Sequence, residues 1–91
     1  MNTKICRVVS QTEPSFVTTQ KGEQLAKCYV RVKEVGGDFT DEYVCAVLGN
    51  LAQVKFEPGD VVIVTMRFRL FENNGNYYQD VTATEILKMN N

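Results

Sequence analysis

The chain has 91 residues, 44% of them hydrophobic, with ten Lys and Arg set against eleven Asp and Glu. A chain of this length holds one core, so a single domain spanning 1–91 is expected, and its apolar share is that of a folded rather than a disordered chain. Histidine is absent, which removes the commonest general base, the Ser-His and Cys-His nucleophile pairs and histidine metal sites; no enzyme and no cofactor is expected.

In chain order the sequence reads as strands parted by turns. Lys4–Thr12 ("KICRVVSQT") is β-rich, Pro14 interrupts it, and Phe16–Thr19 resumes the extended pattern. A proline inside such a run predicts a bulge, a bend or an edge. A turn at Gln20–Gln24 leads into Leu25–Val35 ("LAKCYVRVKEV"), which alternates cleanly. After the turn "VGGD", the next strand is predicted over Phe39–Leu48. A short helix is then expected, with Asn50 as its cap, Leu51, Val54 and Phe56 facing inward, and "PGD" ending it. Val61–Glu72 ("VVIVTMRFRLFE") is a long strand. "NNGN" is a hairpin turn, since Asn and Gly accept the positive φ it requires. Tyr77–Met89 is the last strand. Five strands with one short helix between the third and fourth predict an all-β OB-fold, a partly open Greek-key barrel.

The remaining features exclude more than they assign. Cys6, Cys28 and Cys45 are odd in number and lack Cys-x-x-Cys spacing; each sits in an alternating run and is expected as a buried, free thiol. The acids around "VGGD" (Glu34, Asp38, Asp41 and Glu42) lack EF-hand spacing and read as a solvated loop rather than a cation site. No apolar run approaches the roughly 20 residues of a membrane span, and "MNTKICRVV" has no secretory segment. A cytoplasmic protein is expected, with no membrane and no small-molecule substrate as partner.

Side chains alternate across a strand, so parity sorts the two faces. In the second strand Ala26, Cys28, Val30 and Val32 make the core row, opposite Lys27, Tyr29, Arg31 and Lys33. In the fourth strand Val62, Val64, Met66, Phe68 and Leu70 are assigned to the core, opposite Thr65, Arg67, Arg69 and Phe71. Five of the ten cations thus fall in two short rows that contain no acid. Cations hold a phosphate backbone and rings stack on exposed bases, so the segregation predicts a face for single-stranded nucleic acid, DNA or RNA. Tyr77 and Tyr78 are adjacent and point to opposite faces; one is expected to pack inward and the other to stack. Phe39 and Phe71, near hairpin ends, are either binding rings or lids over the barrel. The short "ENNGN" tip argues against a long arm that closes over a bound strand. The competing reading is an OB-fold module that binds protein or itself, for which open sheet edges are suited; carbohydrate binding would leave the cations without a role.

Leu48-Gly49, Leu51-Ala52, Pro58-Gly59-Asp60, Asn74-Gly75 and Tyr77-Tyr78 occur in the order and spacing of a known family. From Glu42 onward the sequence resembles the C-terminal half of the OB domain in bacterial and phage single-stranded DNA-binding proteins (SSB). The "NGxYYxDVxA" ending, Asn74–Ala83 here, is similar to that of small uncharacterised OB-fold relatives. The resemblance implies single-stranded DNA binding in a cationic, aromatic-lined groove, by a homo-oligomer. Tryptophan is absent, and the family's linker and acidic tip, which recruit replication and repair partners, have no counterpart in these residues. Where the family stacks a ring on its third strand this sequence has Val44, Ala46 and Leu48, so stacking is assigned to Tyr29, Phe71 and the tyrosine pair. The expected contacts are Lys27, Arg31, Lys33, Arg67 and Arg69 to phosphates, and Tyr29, Phe71, Tyr77 or Tyr78 to bases.

Overall fold

The alternation builds a closed barrel. A computed structural model of the chain describes residues 2–38 and 40–89. Its elements are β1 (Asn2–Gln11), β2 (Ser15–Thr18), β3 (Gln24–Glu34), β4 (Glu42–Leu48), a 3₁₀ turn (Gly49–Gln53), β5 (Val61–Asn73) and β6 (Asn76–Lys88). β1 pairs with both β3 and β5, β5 with β6, β6 with β4, and β4 with β3. The ring of β1, β3, β4, β6 and β5 is the expected five-stranded OB barrel, and every pairing in it is antiparallel except β4–β6. That parallel seam is a single pairing, Ala46 with Thr82, so the barrel is least tightly joined there.

One strand is additional to the five. After the break at Pro14, β2 pairs outside the ring along β3, from Ser15 opposite Lys27 to Thr18 opposite Gln24. It is a short edge strand, a setting that tolerates a nearby proline because its outer side makes no ladder bonds. The third strand starts at Glu42 rather than 39; Asp41 lies in the preceding loop, where its N–H donates to Glu34 Oε2 at 3.2 Å. Phe39 lies outside the described residues.

The core is one inward row from each strand of the ring: Cys6 and Val8, then Cys28, Val30 and Val32, then Cys45 and Val47, then Val62, Val64 and Met66, with Ala83 and Ile86. β-branched valines suit this position because their stiff side chains pack well on a pleated surface. The three cysteines are free and buried. Burial raises the Cys45 thiol to about 11, and burial, with Glu34 close by, also raises Cys6. Both behave as small core groups rather than nucleophiles.

The barrel is closed below by the 3₁₀ turn, whose Ala52 is buried, and by Phe56. The helix assignment needs two corrections. The N-cap is Leu48, which makes no side-chain cap bond, and Asn50 lies inside the turn. Val54 points outward, because a five-residue 3₁₀ turn does not present the 3.6-residue stripe that would have buried it. Asp60, mostly buried, fixes the end of this segment. Its Oδ2 accepts from the Glu57 N–H at 2.9 Å and lies 3.5 Å from Lys88 Nζ. Its backbone carbonyl accepts from Val8 N–H at 2.8 Å. Among the described residues no helix is long and apolar enough to cross a membrane.

Candidate nucleic-acid interface

The β5–β6 hairpin outgrows the barrel. Pairing runs unbroken past the core to Asn73 opposite Asn76. The turn is Asn74-Gly75, with φ of 53° and 81°, the two left-handed positions of a type I′ turn. Met66 is fully buried and Phe68 half-buried, but every residue from Arg69 to Asp80 is exposed. The hairpin therefore stands as a free two-stranded arm roughly 15 Å beyond Phe68, at about 3.3 Å per residue. The short tip does not shorten the strands that carry it: the hairpin projects although its turn is only two residues long.

This arm corrects two assignments. Leu70 keeps the parity of the core row yet is 67% exposed, because the barrel ends at Phe68 and nothing lies beneath it. Neither tyrosine packs inward: Tyr77 is 68% and Tyr78 54% exposed. They do face opposite ways. Tyr78 pairs with Phe71 on the side of Arg67 and Arg69, and Tyr77 pairs with Glu72 on the side of Leu70. Only Tyr78 shares the cationic face.

The cross-strand register joins that face into one surface. Tyr29 lies opposite Ala46, Ala46 opposite Thr82, and Thr82 opposite Arg67. One row further, Arg31 is opposite Val44 and Arg69 opposite Asp80. A groove of about 340 Å³ opens at the β4–β6 seam, between Lys27 and Tyr29 on one bank and Arg69 on the other. Val44, Ala46 and Leu48 form its floor, with Asp80 and Thr82 at its arm side. Ala46 is small and sits directly beside the 44%-exposed Tyr29, leaving a slot against the ring.

Two cation–ring pairs flank the groove. Lys27 Nζ is 5.2 Å from the Tyr29 ring centroid, and the Arg69 guanidinium is 5.0 Å from that of Phe71. Such contacts stabilise by about 0.5–1 kcal/mol at exposed sites and hold charge and ring side by side. Lys27, Lys33, Arg67 and Arg69 form no ion pair among the described residues. Arg31 differs: it reaches Glu42 with its Nη2 at 2.9 Å and its Nε at 3.1 Å. The rows lack acids within themselves, but the neighbouring strand supplies one, so Arg31 is the weakest of the five predicted phosphate contacts. Lys33, opposite Glu42 in the ladder, lies at the far end of the row from the groove.

The acidic residues near "VGGD" are engaged locally. Glu34 is 3.7 Å from Lys4 and accepts from the Tyr43 hydroxyl at 3.2 Å. Tyr43 packs on the core and meets Phe68 edge-on at 6.1 Å. Burial first, then the bond to Glu34, pushes its phenol up to about 12. No group of acids or cysteines among the described residues is placed to hold a metal ion. A second cavity, of about 410 Å³, lies beside the 3₁₀ turn. There the Gln11 amide is already bonded to the Val54 carbonyl and Phe56 N–H, each at 2.8 Å.

Val44, Ala46 and Leu48 stand out in the sequence only as absent rings, whereas here they are the groove floor. Asp80 and Thr82 were not among the expected contacts. Parity along β6 would have found them, but a bulge between the pairs Thr65–Glu85 and Met66–Ala83 puts the arm and the barrel end of β6 out of phase.

No family model matches the sequence, and none of the curated proteins matches it. Among solved structures, the chain is similar to an SSB from Plasmodium falciparum, solved in complex with single-stranded DNA. The TM-score is 0.50 at 16% identity, and the match covers 98% of this chain and 93% of that one. At that identity the likeness establishes the OB-fold.

Proposed function

We propose that the chain is a non-enzymatic binder of single-stranded nucleic acid, DNA in the first instance, which it holds along the β3–β4–β6–β5 face. The observation that carries this reading is the groove itself: an apolar floor between the exposed Tyr29 ring with Lys27 against it and Arg69, which in turn lies over the exposed Phe71 ring just outside the groove. Lys27, Arg67 and Arg69 neutralise phosphates, Tyr29 and Phe71 stack on bases, and Tyr78 extends the stacking surface along the arm. Tyr77 faces away and takes no part. The fold shared with a protein solved on single-stranded DNA supports the choice of ligand.

A second reading, self-assembly, is favoured by a separate surface. Ile5, Ile63 and Leu87 lie opposite one another across β1, β5 and β6 on the outer side of the sheet, with Ile5 and Leu87 half-exposed. An apolar row of this kind suits a second copy of the chain. The two readings are compatible, and one double variant separates them. Arg67→Ala with Arg69→Ala is expected to weaken oligonucleotide binding, followed by fluorescence anisotropy, while leaving the oligomeric state in sedimentation unchanged. Assembly of the wild-type chain with no oligonucleotide binding would favour a module that binds only itself.

A further inference from the structure

We propose that Asp80 makes the groove selective among bases, favouring those that present an exocyclic amine, cytosine in particular, over thymine. The inference rests on the nucleic-acid reading above. Asp80 lies directly opposite Arg69 in the β5–β6 ladder, where an ion pair would be the ordinary outcome. The Arg69 guanidinium instead sits over the Phe71 ring. Among the described residues the Asp80 carboxylate takes part in no ion pair and no side-chain hydrogen bond. It lines the groove together with Tyr29, Ala46 and Thr82, beside the slot into which a stacked base would fit.

An unpaired carboxylate there repels phosphate, so it does not serve backbone binding. It has acceptors only, two oxygens that water satisfies while the exposed side chain is free, so a base that displaces this water must bring a donor of its own. A base stacked on Tyr29 with its edge towards β6 offers such a donor when it is cytosine, through N4–H₂; acidic side chains accept from that amine in base recognition. Adenine N6 and guanine N2 amines are further donors of this kind. Thymine presents its O4 where cytosine has the amine, and its single N–H lies between two carbonyl oxygens that face the carboxylate unfavourably. A polar site that is left unmatched discriminates more strongly than an apolar one.

The test is a competition titration of oligo-dC and oligo-dT of equal length on the full chain at neutral pH and fixed salt. Wild type is expected to prefer oligo-dC by on the order of fivefold, the lower end of the range for one good base contact. Asp80→Asn and Asp80→Ala are both expected to bring the ratio close to one while raising affinity for oligo-dT, since a charge that repels phosphate is gone. Equal affinities in wild type would overturn the proposal and leave the binding function standing. A preference that survives both substitutions, or a uniform rise for both oligonucleotides, would also overturn it, making Asp80 a source of repulsion alone. Binding of neither oligonucleotide would remove the parent reading and this one with it.

Discussion

The two halves of the β5–β6 hairpin obey one pattern and meet different fates. In both, residues alternate side to side, and the apolar inward-parity row of Val62, Val64 and Met66 in the barrel continues to Leu70 in the arm before Glu72 ends it. Met66 is fully buried and Leu70 is not, because three other strands close over the first and none covers the second. Periodicity reports which face a side chain takes; whether that face meets a core depends on where neighbouring strands end. Here β4 begins at Glu42 and runs parallel to β6 through a single pairing, Ala46 with Thr82, so its start lies towards the arm and the hairpin loses its cover just beyond it. The barrel half is built for stability, and the arm half leaves its rings and cations free to act.

This contrast is open to direct attack. Truncating the buried side, Met66→Ala, is expected to lower unfolding free energy by about 2–5 kcal/mol in urea melts. The same cut in the arm, Leu70→Ala, should change it by less than about 0.5 kcal/mol. A large loss at Leu70 would mean that the arm packs on the barrel.

The barrel should also register alkaline pH. Cys45 is held protonated to about 11 in the fold, against an ordinary value near 9, and Tyr43 to about 12 against 10. Each raised value adds nothing below the unfolded value. It lowers stability as pH climbs from that value through the folded one, because the unfolded chain then releases its proton first. For the fully buried Cys45 the loss is on the order of 3 kcal/mol between pH 9 and 11. Melting curves of wild type and Cys45→Ala over that interval should diverge, the variant losing less.

On the arm and groove the effects fall on binding instead. Tyr29→Ala or Phe71→Ala is expected to weaken oligonucleotide affinity by about 1–3 kcal/mol with the melting temperature nearly unchanged. Tyr77→Ala, the oppositely directed neighbour of Tyr78, should leave affinity where it was. Equal losses at Tyr77 and Tyr78 would break the assignment of faces. The smallest effect is expected at Arg31→Ala, whose guanidinium is already held by Glu42, with a loss well below that at Arg69→Ala.

Much of this was legible in the sequence, and the gaps have physical causes. The core rows of β3 and of β5 as far as Met66 follow from alternation alone, as does the opposite facing of the tyrosines. The Asn74-Gly75 turn follows from the positive φ that those residues accept. What alternation could not supply were distances between strands far apart in the chain. The Arg31–Glu42 pair, the Tyr29–Ala46–Thr82 row and the placement of Asp80 beside Arg69 all depend on register across different strands. Register is set by a bulge on β1, another on β6 and the short β4–β6 seam, none of which leaves a local signature. Leu70 and the tyrosine pair were misplaced for the same reason, since the end of the core is a property of the whole ring.

The central claim is that the β3–β4–β6–β5 face binds single-stranded nucleic acid through phosphate charge and base stacking. The most direct test is titration of a fluorescent oligo-dT with the wild-type chain at two salt concentrations, about 50 and 200 mM. The account predicts saturable binding at low salt that weakens steeply at the higher one, as displaced counterions require. No binding at low salt with the protein at about 100 μM, the weak end of non-specific affinity, would contradict it.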